Sequence, residues 1–244
     1  MKHVEESAPK PGGIYVGTSR RNFLKYTGAG IITTGLILAG CDDDVDPPTG
    51  GSGNAPSVNL GSGDIGVLNY AYALEQLEAA FYTAVMSGGY YTSNSTSSDE
   101  KRIMEDLMMH EVAHREFFKA AINGASSGAA IADLTVDWGN LDFDNRSEVL
   151  ATAKIFENLG VGAYNGAGQL ISNADYLLIA GKIVSVEARH AAIISNLINP
   201  GTTAFTDVVD ANGLDQALSP MQVLTAASKY VVNEINFSGL PTAS

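Results

Sequence analysis

Apolar side chains recur at helical spacing in four long segments of the chain, and glycine, asparagine or serine residues interrupt the pattern after each one. Each segment has one stripe of apolar positions three or four residues apart, as in a helix that buries one face. Ser98-Asp99-Glu100, at the start of the second segment, is typical of a helix N-terminus. The pattern predicts an all-α bundle, with helices at about residues 64–87, 98–124, 147–172 and 174–198.

The connection between the second and third segments is unusually long. Residues 125–146 contain Trp138 and several acids but show no helical period, whereas most loops are far shorter. A connection of this length lets the chain cross a four-helix bundle, so that helices one and two form one antiparallel pair and helices three and four another. Ser219-Pro220 begins a shorter fifth helix, at about Met221–Val232, which is expected to pack across one end or side of the bundle.

Six ionisable residues interrupt the apolar stripes, and they form two matching halves. Each half has a lone glutamate on one helix and Glu-x-x-His on the next. Residues three apart share a helix face, so each Glu-x-x-His pair can direct an oxygen and an imidazole nitrogen to the same metal ion. This is the pattern of a carboxylate-bridged two-metal centre in a four-helix bundle. The candidate ligands are Glu75, Glu111, His114, Glu157, Glu187 and His190.

Charge indicates which ions such a centre would bind. Four carboxylates in one core repel one another, and each unpaired buried charge costs on the order of several kcal/mol. Two divalent cations balance the four carboxylates, and mixed oxygen and imidazole ligands suit iron or manganese. The only cysteine is Cys41, which excludes an all-sulfur site and an intrachain disulfide. The predicted cofactors are therefore two Fe or Mn ions.

A tyrosine follows each lone glutamate by seven residues, Tyr82 after Glu75 and Tyr164 after Glu157. Seven residues are close to two helical turns, and helical side chains lean toward the N-terminus, so each phenol can reach back to the centre. These tyrosines are the candidate catalytic residues beside the metals. Glu78 is the alternative ligand to Glu75, but the equal tyrosine spacing in both halves favours Glu75.

His110 precedes Glu111 and is the remaining histidine of the segments after Cys41. We expect it to lie on the flank of its helix. The same part of the chain is strongly acidic, with nine Lys or Arg against 25 Asp or Glu. A surface of this charge repels nucleic acid, so nucleic acid is not an expected partner.

The first 40 residues are predicted to be an export signal and no part of the fold. Arg20 and Arg21 lie in Ser19–Lys25, which resembles the twin-arginine signal, and the weakly apolar stretch that follows is too short to span a membrane stably. Leu38-Ala39-Gly40-Cys41 resembles a bacterial lipobox, which implies cleavage before Cys41 and its lipidation.

We therefore expect export across the inner membrane and a lipid anchor in the cell envelope, on the periplasmic side or at the surface. The acidic, Pro- and Gly-rich stretch after Cys41 has little apolar content to bury and is expected to be a flexible tether. The predicted organisation is a signal at 1–40, a tether at 41–62, the bundle domain at 63–235 and a tail at 236–244.

The segment Tyr72–Tyr82 (YALEQLEAAFY) resembles the first helix of the ferritin-like domain family that includes desiccation-related proteins. The wider ligand pattern, from about Asp64 to Ile198, is similar to bacterioferritin and rubrerythrin. The resemblance implies a ferritin-like bundle, ligation by all six candidates with Glu111 and Glu187 as bridging carboxylates, and tyrosines packed beside the ligands. A lipid-anchored chain is a poor candidate for a storage cage, because storage ferritins are soluble.

Three functions are compatible with these features. The leading hypothesis is an exported redox protein whose two metal ions react with peroxide or oxygen, as in a peroxidase or ferroxidase. The second is a non-catalytic metal-binding protein of stress protection, in which bound ions stabilise the fold by mass action. The third is a metal-free scaffold that presents a surface to a partner. Enzymatic turnover and homodimer formation are open on the sequence alone.

Overall fold

The computed structural model describes residues 57–202 and 208–242, which are mostly helical. Arg20, Arg21 and Cys41 lie outside the described residues, so export and lipidation stay predictions. The helices are α1 (Gly63–Ser87), α2 (Gly89–Thr92), α3 (Ser98–Ala125), α4 (Arg146–Ala167), α5 (Ala174–Ile198) and α6 (Pro220–Ala227), with a 3-10 turn at Gly168–Leu170. The strands are β1 (Ser57–Asn59) and β2 (Glu234–Asn236).

Capping side chains define where most of these helices begin. Ser97 accepts a hydrogen bond from the backbone N–H of Glu100 at the start of α3. Asn145 and Asn173 cap α4 and α5 in the same way, and a reciprocal capping box within Ser219–Gln222 begins α6. Because these caps are readable in the sequence, the predicted starts of the helices agree with the structure to within about one residue.

The buried apolar residues form two clusters, and a polar layer lies between them. Along α1 the chain passes from the first cluster at Leu68 to the second at Val85, and along α3 it returns from Leu107 to Phe118. Because α4 begins again in the second cluster, at Leu150, the connection after α3 must run the length of the bundle. The predicted all-α bundle with a long crossover is therefore confirmed.

Two polar side chains of α1 hold the crossover against the bundle. Asn69 accepts from the backbone N–H of Ile131 and donates to the carbonyl groups of Ala129 in the crossover and of Leu60 just before α1. Gln76, two turns further along α1, accepts from the backbone N–H of Leu134. The bonds to Ala129, Ile131 and Leu134 satisfy backbone groups of the irregular crossover.

The folded domain begins before the predicted boundary. β1 pairs in parallel with β2, with Val58 opposite Ile235, and Leu60 is fully buried. Residues 57–62 therefore pack with the domain, although they fall within the predicted tether. The pairing joins two three-residue segments that lie far apart in the chain, so it leaves no periodic signal in either one.

Two helix ends also differ from the prediction. The predicted third helix reaches residue 172, but α4 ends at Ala167 and continues as the 3-10 turn. The predicted fifth helix, which corresponds to α6, is expected to reach Val232 but ends at Ala227. The chain then turns, and Val231 forms a β-bridge with Val136 of the crossover. Among the described residues, no helix combines the length and the apolar character needed to cross a membrane.

Candidate metal centre

The polar layer between the two hydrophobic clusters contains all six candidate ligands. They form two overlapping groups, in each of which the carboxylate oxygens and imidazole nitrogens lie within 4.8 Å of one another. Two glutamates belong to both groups, as expected of carboxylates placed between two metal ions. One group is Glu75, Glu111, His114 and Glu187, and the other is Glu111, Glu157, Glu187 and His190.

Each imidazole is closest to the shared carboxylate of the opposite helix. His114 Nδ1 is 2.9 Å from Oε1 of Glu187, and His190 Nδ1 is 2.7 Å from Oε1 of Glu111. The lone glutamate of each half lies 3.4 Å from the imidazole of its own group. The two halves are therefore nearly equivalent in geometry, as the matching sequence pattern predicts.

The centre is closed to solvent on its carboxylate side. All four glutamates are 0% exposed, while the side chains of His190 and His114 are 6% and 14% exposed. Among the described residues, the facing nitrogen of each imidazole has no hydrogen-bond partner, and neither does at least one oxygen of each glutamate. Short separations without hydrogen-bond geometry are expected of ligand atoms that converge on one point. Buried polar atoms need a partner, and a metal ion at that point would supply it. The donor set fits Fe or Mn.

Burial and mutual charge shift the pKa values of the centre strongly. Burial raises the pKa of Glu75 well above its usual range and that of Glu157 to about 8. Burial also acts to raise the pKa of Glu111, but contacts with the two imidazoles prevail and lower it to about 2. Burial lowers the pKa of His114 and His190, yet the neighbouring carboxylates outweigh it and raise both values to about 12. A raised pKa favours the protonated imidazolium, whereas ligation requires a neutral imidazole. Metal binding therefore competes with protonation of His114 and His190.

The two candidate tyrosines reach the centre across the bundle. Tyr82 of α1 donates a hydrogen bond to Oε1 of Glu157 on α4, and Tyr164 of α4 donates to Oε1 of Glu75 on α1. Both phenols are buried, and burial raises the pKa of both well above the usual range. The seven-residue spacing predicts contact with the centre, but each tyrosine contacts the lone glutamate of the other half.

Glu78 lies beside the centre and belongs to neither ligand group. Its side chain is buried, and its Oε2 has no hydrogen-bond partner among the described residues. Burial, reinforced by the charges of the neighbouring carboxylates, raises its pKa well above the usual range. A Cβ added at Gly160 would be 3.1 Å from Oε1 of Glu78. Gly160 follows Glu157 by three residues, as Glu78 follows Glu75. The first half of the pattern therefore has an extra carboxyl, Glu78, and the second half has a glycine at the equivalent position, whose missing side chain leaves room for that carboxyl.

His110 is exposed on α3, as expected of a residue on the flank of its helix, and it also contacts the centre. Its Nδ1 is 2.9 Å from Nε2 of His190, and the two rings meet edge to edge, with centroids 5.2 Å apart and planes inclined by 19°. One signal could have revealed it: His110 precedes His114 by four residues and therefore lies on the same helix face. The contact extends the centre outward from a ligand candidate to an exposed imidazole.

Comparison with known families gives a match over most of this region. The family model described as a ferritin-like domain matches residues 63–200. This is more than half of the chain, and it includes the four bundle helices, the crossover and all six candidate ligands. A comparison with curated proteins finds no match.

Proposed function

The chain belongs to the ferritin-like domain family, and we propose that it binds two Fe or Mn ions and uses them for redox chemistry with peroxide or oxygen. The observation that supports this most directly is the overlap of the two ligand groups through Glu111 and Glu187. A single ion would not need two carboxylates between two imidazole positions, whereas two ions would both be held by Glu111 and Glu187.

The side chains have distinct roles in this proposal. Glu75 with His114, and Glu157 with His190, complete the two metal positions. Bound Fe or Mn would supply a reversible change of oxidation state, which no side chain of the centre provides by itself. The tyrosines hold the lone glutamates in place through their hydrogen bonds and keep a phenol beside each metal position. The buried glutamates exclude water from the carboxylate side.

Metal analysis and oxidant reaction together test the proposal. Protein produced through its own export route should contain close to two Fe or Mn per chain by elemental analysis. Iron-loaded, reduced protein should then develop a ferric absorption band when peroxide or oxygen is added. A metal-free preparation, or a loaded one that reacts with neither oxidant, would overturn the redox proposal.

The closed carboxylate side also favours a second function. Four fully buried glutamates limit access to the ions, which suits a site whose metals stabilise the fold for protection under stress. Bound ligand at about 100 times its Kd stabilises a protein by about 2.7 kcal/mol per site. In that case chelation should lower the melting temperature by several degrees while oxidant reactivity is absent from the loaded protein, which separates this function from the redox one.

We further propose that the protein is exported and attached to a membrane through lipidated Cys41. The support is the order of Arg20-Arg21, an apolar stretch and Leu38-Ala39-Gly40-Cys41 at the N-terminus. Labelled fatty acid should enter the wild-type protein and not C41S. Replacement of both arginines by lysine (R20K/R21K) should leave the uncleaved chain in the cytoplasm. Labelling of C41S would contradict lipidation at Cys41, and normal export of R20K/R21K would contradict the twin-arginine route.

A further inference from the structure

The three histidines of the described residues form a row from solvent to the metal centre. His110 is exposed, and its ring meets the edge of the buried His190 ring; the two ring planes are inclined by only 19°. The centroid of the His114 ring is 6.3 Å from that of His190. The imidazole side of the centre, formed by α3 and α5, is thus its connection to the surface.

Hydrogen-bond chemistry assigns the roles of the nitrogens in this row. His190 Nδ1 faces the centre, 2.7 Å from Oε1 of Glu111, so it is the nitrogen available to a metal. A neutral imidazole carries its proton on the other nitrogen, and His190 Nε2 is 2.9 Å from Nδ1 of His110. His190 Nε2–H therefore donates to His110, and this hydrogen bond selects the tautomer with a free Nδ1.

His114 has no equivalent outer contact. Within residues 57–202 and 208–242, its polar contacts are with the carboxylates of the centre alone. Apart from Glu78, which belongs to neither ligand group, the two metal positions otherwise match, because they share two glutamates and each has one lone glutamate with a tyrosine donor. His110 is thus a specific difference between two nearly equivalent positions.

We propose that His110 is a positioning residue that orients His190 and makes the Glu111, Glu157, Glu187 and His190 position the tighter of the two metal sites. The proposal rests on the two-metal function proposed above. Histidine ligands commonly donate their outer N–H to a fixed acceptor, and loss of that acceptor lowers metal affinity by about 10–100-fold. Here the acceptor is another imidazole, at the protein surface.

Metal titration of matched variants tests the proposal without any need for turnover. Purified full-length protein, stripped of metal, is titrated with Co²⁺ by calorimetry and by visible absorption. H110F retains an aromatic ring at this position but cannot accept the hydrogen bond, whereas H110Q can accept it through its side-chain carbonyl. M109A, at an exposed position next to His110, is the control.

We expect H110F to weaken the tighter of the two Co²⁺ sites by about 10–100-fold and to leave the other unchanged. H110Q should recover most of that loss, and M109A should behave as wild type. Nitrogen NMR of the Zn²⁺-loaded protein should show His190 bound through Nδ1 in wild type and a mixture of ring orientations in H110F.

Other outcomes have separate meanings. Wild-type affinities in H110F at both sites would overturn the role of His110 while the two-metal function stays intact. Equal weakening of both sites with a lower melting temperature of the metal-free protein would also overturn it, because the effect would then be on the fold. Wild-type protein that binds no Co²⁺ would refute the two-metal function itself.

Discussion

The Tyr82 hydroxyl of α1 donates to Glu157 of α4, and so it contacts the lone glutamate of the opposite half of the centre. The Tyr164 hydroxyl makes the reciprocal contact to Glu75. These two hydrogen bonds connect α1 to α4 directly through the polar layer. Each ligand group therefore has a donor from the other half beside its lone glutamate, and the two halves are coupled even without metal.

Removal of the Tyr82 hydroxyl should weaken one metal position more than the other. In Y82F, Oε1 of Glu157 loses its donor, so the Glu157 and His190 position should bind Mn²⁺ about 10–100-fold more weakly. Y164F should weaken the Glu75 and His114 position by a similar factor. Titration followed by electron paramagnetic resonance of free Mn²⁺ measures both affinities.

The matched control is Y70F. The Tyr70 hydroxyl is buried like that of Tyr82, but it has no hydrogen-bond partner among the described residues. Its removal should leave metal binding unchanged and keep or slightly raise the free energy of unfolding, because an unpaired buried hydroxyl is lost. If Y82F and Y70F bind Mn²⁺ equally well, the Tyr82 hydroxyl does not support the centre.

The Asn69 side chain should contribute strongly to stability through the crossover. N69A leaves the backbone N–H of Ile131 and the carbonyl groups of Leu60 and Ala129 without this partner, and each orphaned buried group costs about 1–3 kcal/mol. We expect urea unfolding of metal-free N69A to show a loss of about 3 kcal/mol or more. Asn123 accepts from Ala130 at an exposed position, so N123A should lose about 1 kcal/mol or less. Equal losses in the two variants would contradict the buried clamp.

Helical periodicity explains how much of this molecule is predictable from its sequence. The helices and the six clustered side chains follow it, because a residue's place on a helix face depends only on its neighbours in the chain. The β1–β2 pairing, the contact of His110 with His190, and the crossed tyrosine partners depend on segments far apart in sequence. Local spacing cannot specify which remote side chain an element will meet, so these features required the three-dimensional structure.

Replacement of Glu78 by glutamine should stabilise the metal-free protein at neutral pH. Burial raises the folded-state pKa of Glu78 well above the unfolded value, so the buried carboxylate makes folding less favourable once the pH exceeds the unfolded pKa. This cost is absent below the unfolded pKa and grows as pH rises above it. E78Q should therefore gain about 1 kcal/mol or more at pH 7, and the gain should disappear near pH 4.

Chemical unfolding of metal-free E78Q across this pH range measures the effect. E116Q is the control, because Glu116 is an exposed carboxyl on α3. It should change stability by about 0.5 kcal/mol or less at any pH. A loss of stability in E78Q at pH 7 would show that the carboxylate makes a favourable contact in the metal-free state.

The number of ions lost on mutation should distinguish a shared glutamate from a lone one. Glu111 belongs to both ligand groups, whereas Glu75 belongs to one. Glutamine is neutral and a poor ligand, so E111Q should lose both ions and E75Q should keep about one per chain. By the same geometry, E187Q should behave as E111Q, and E157Q as E75Q. Elemental analysis after gel filtration of Mn²⁺-loaded protein gives the count, with the melting temperature of each metal-free variant as the check on folding. If E111Q and E75Q each retain one ion, Glu111 ligates a single metal, and the two positions do not share their carboxylates.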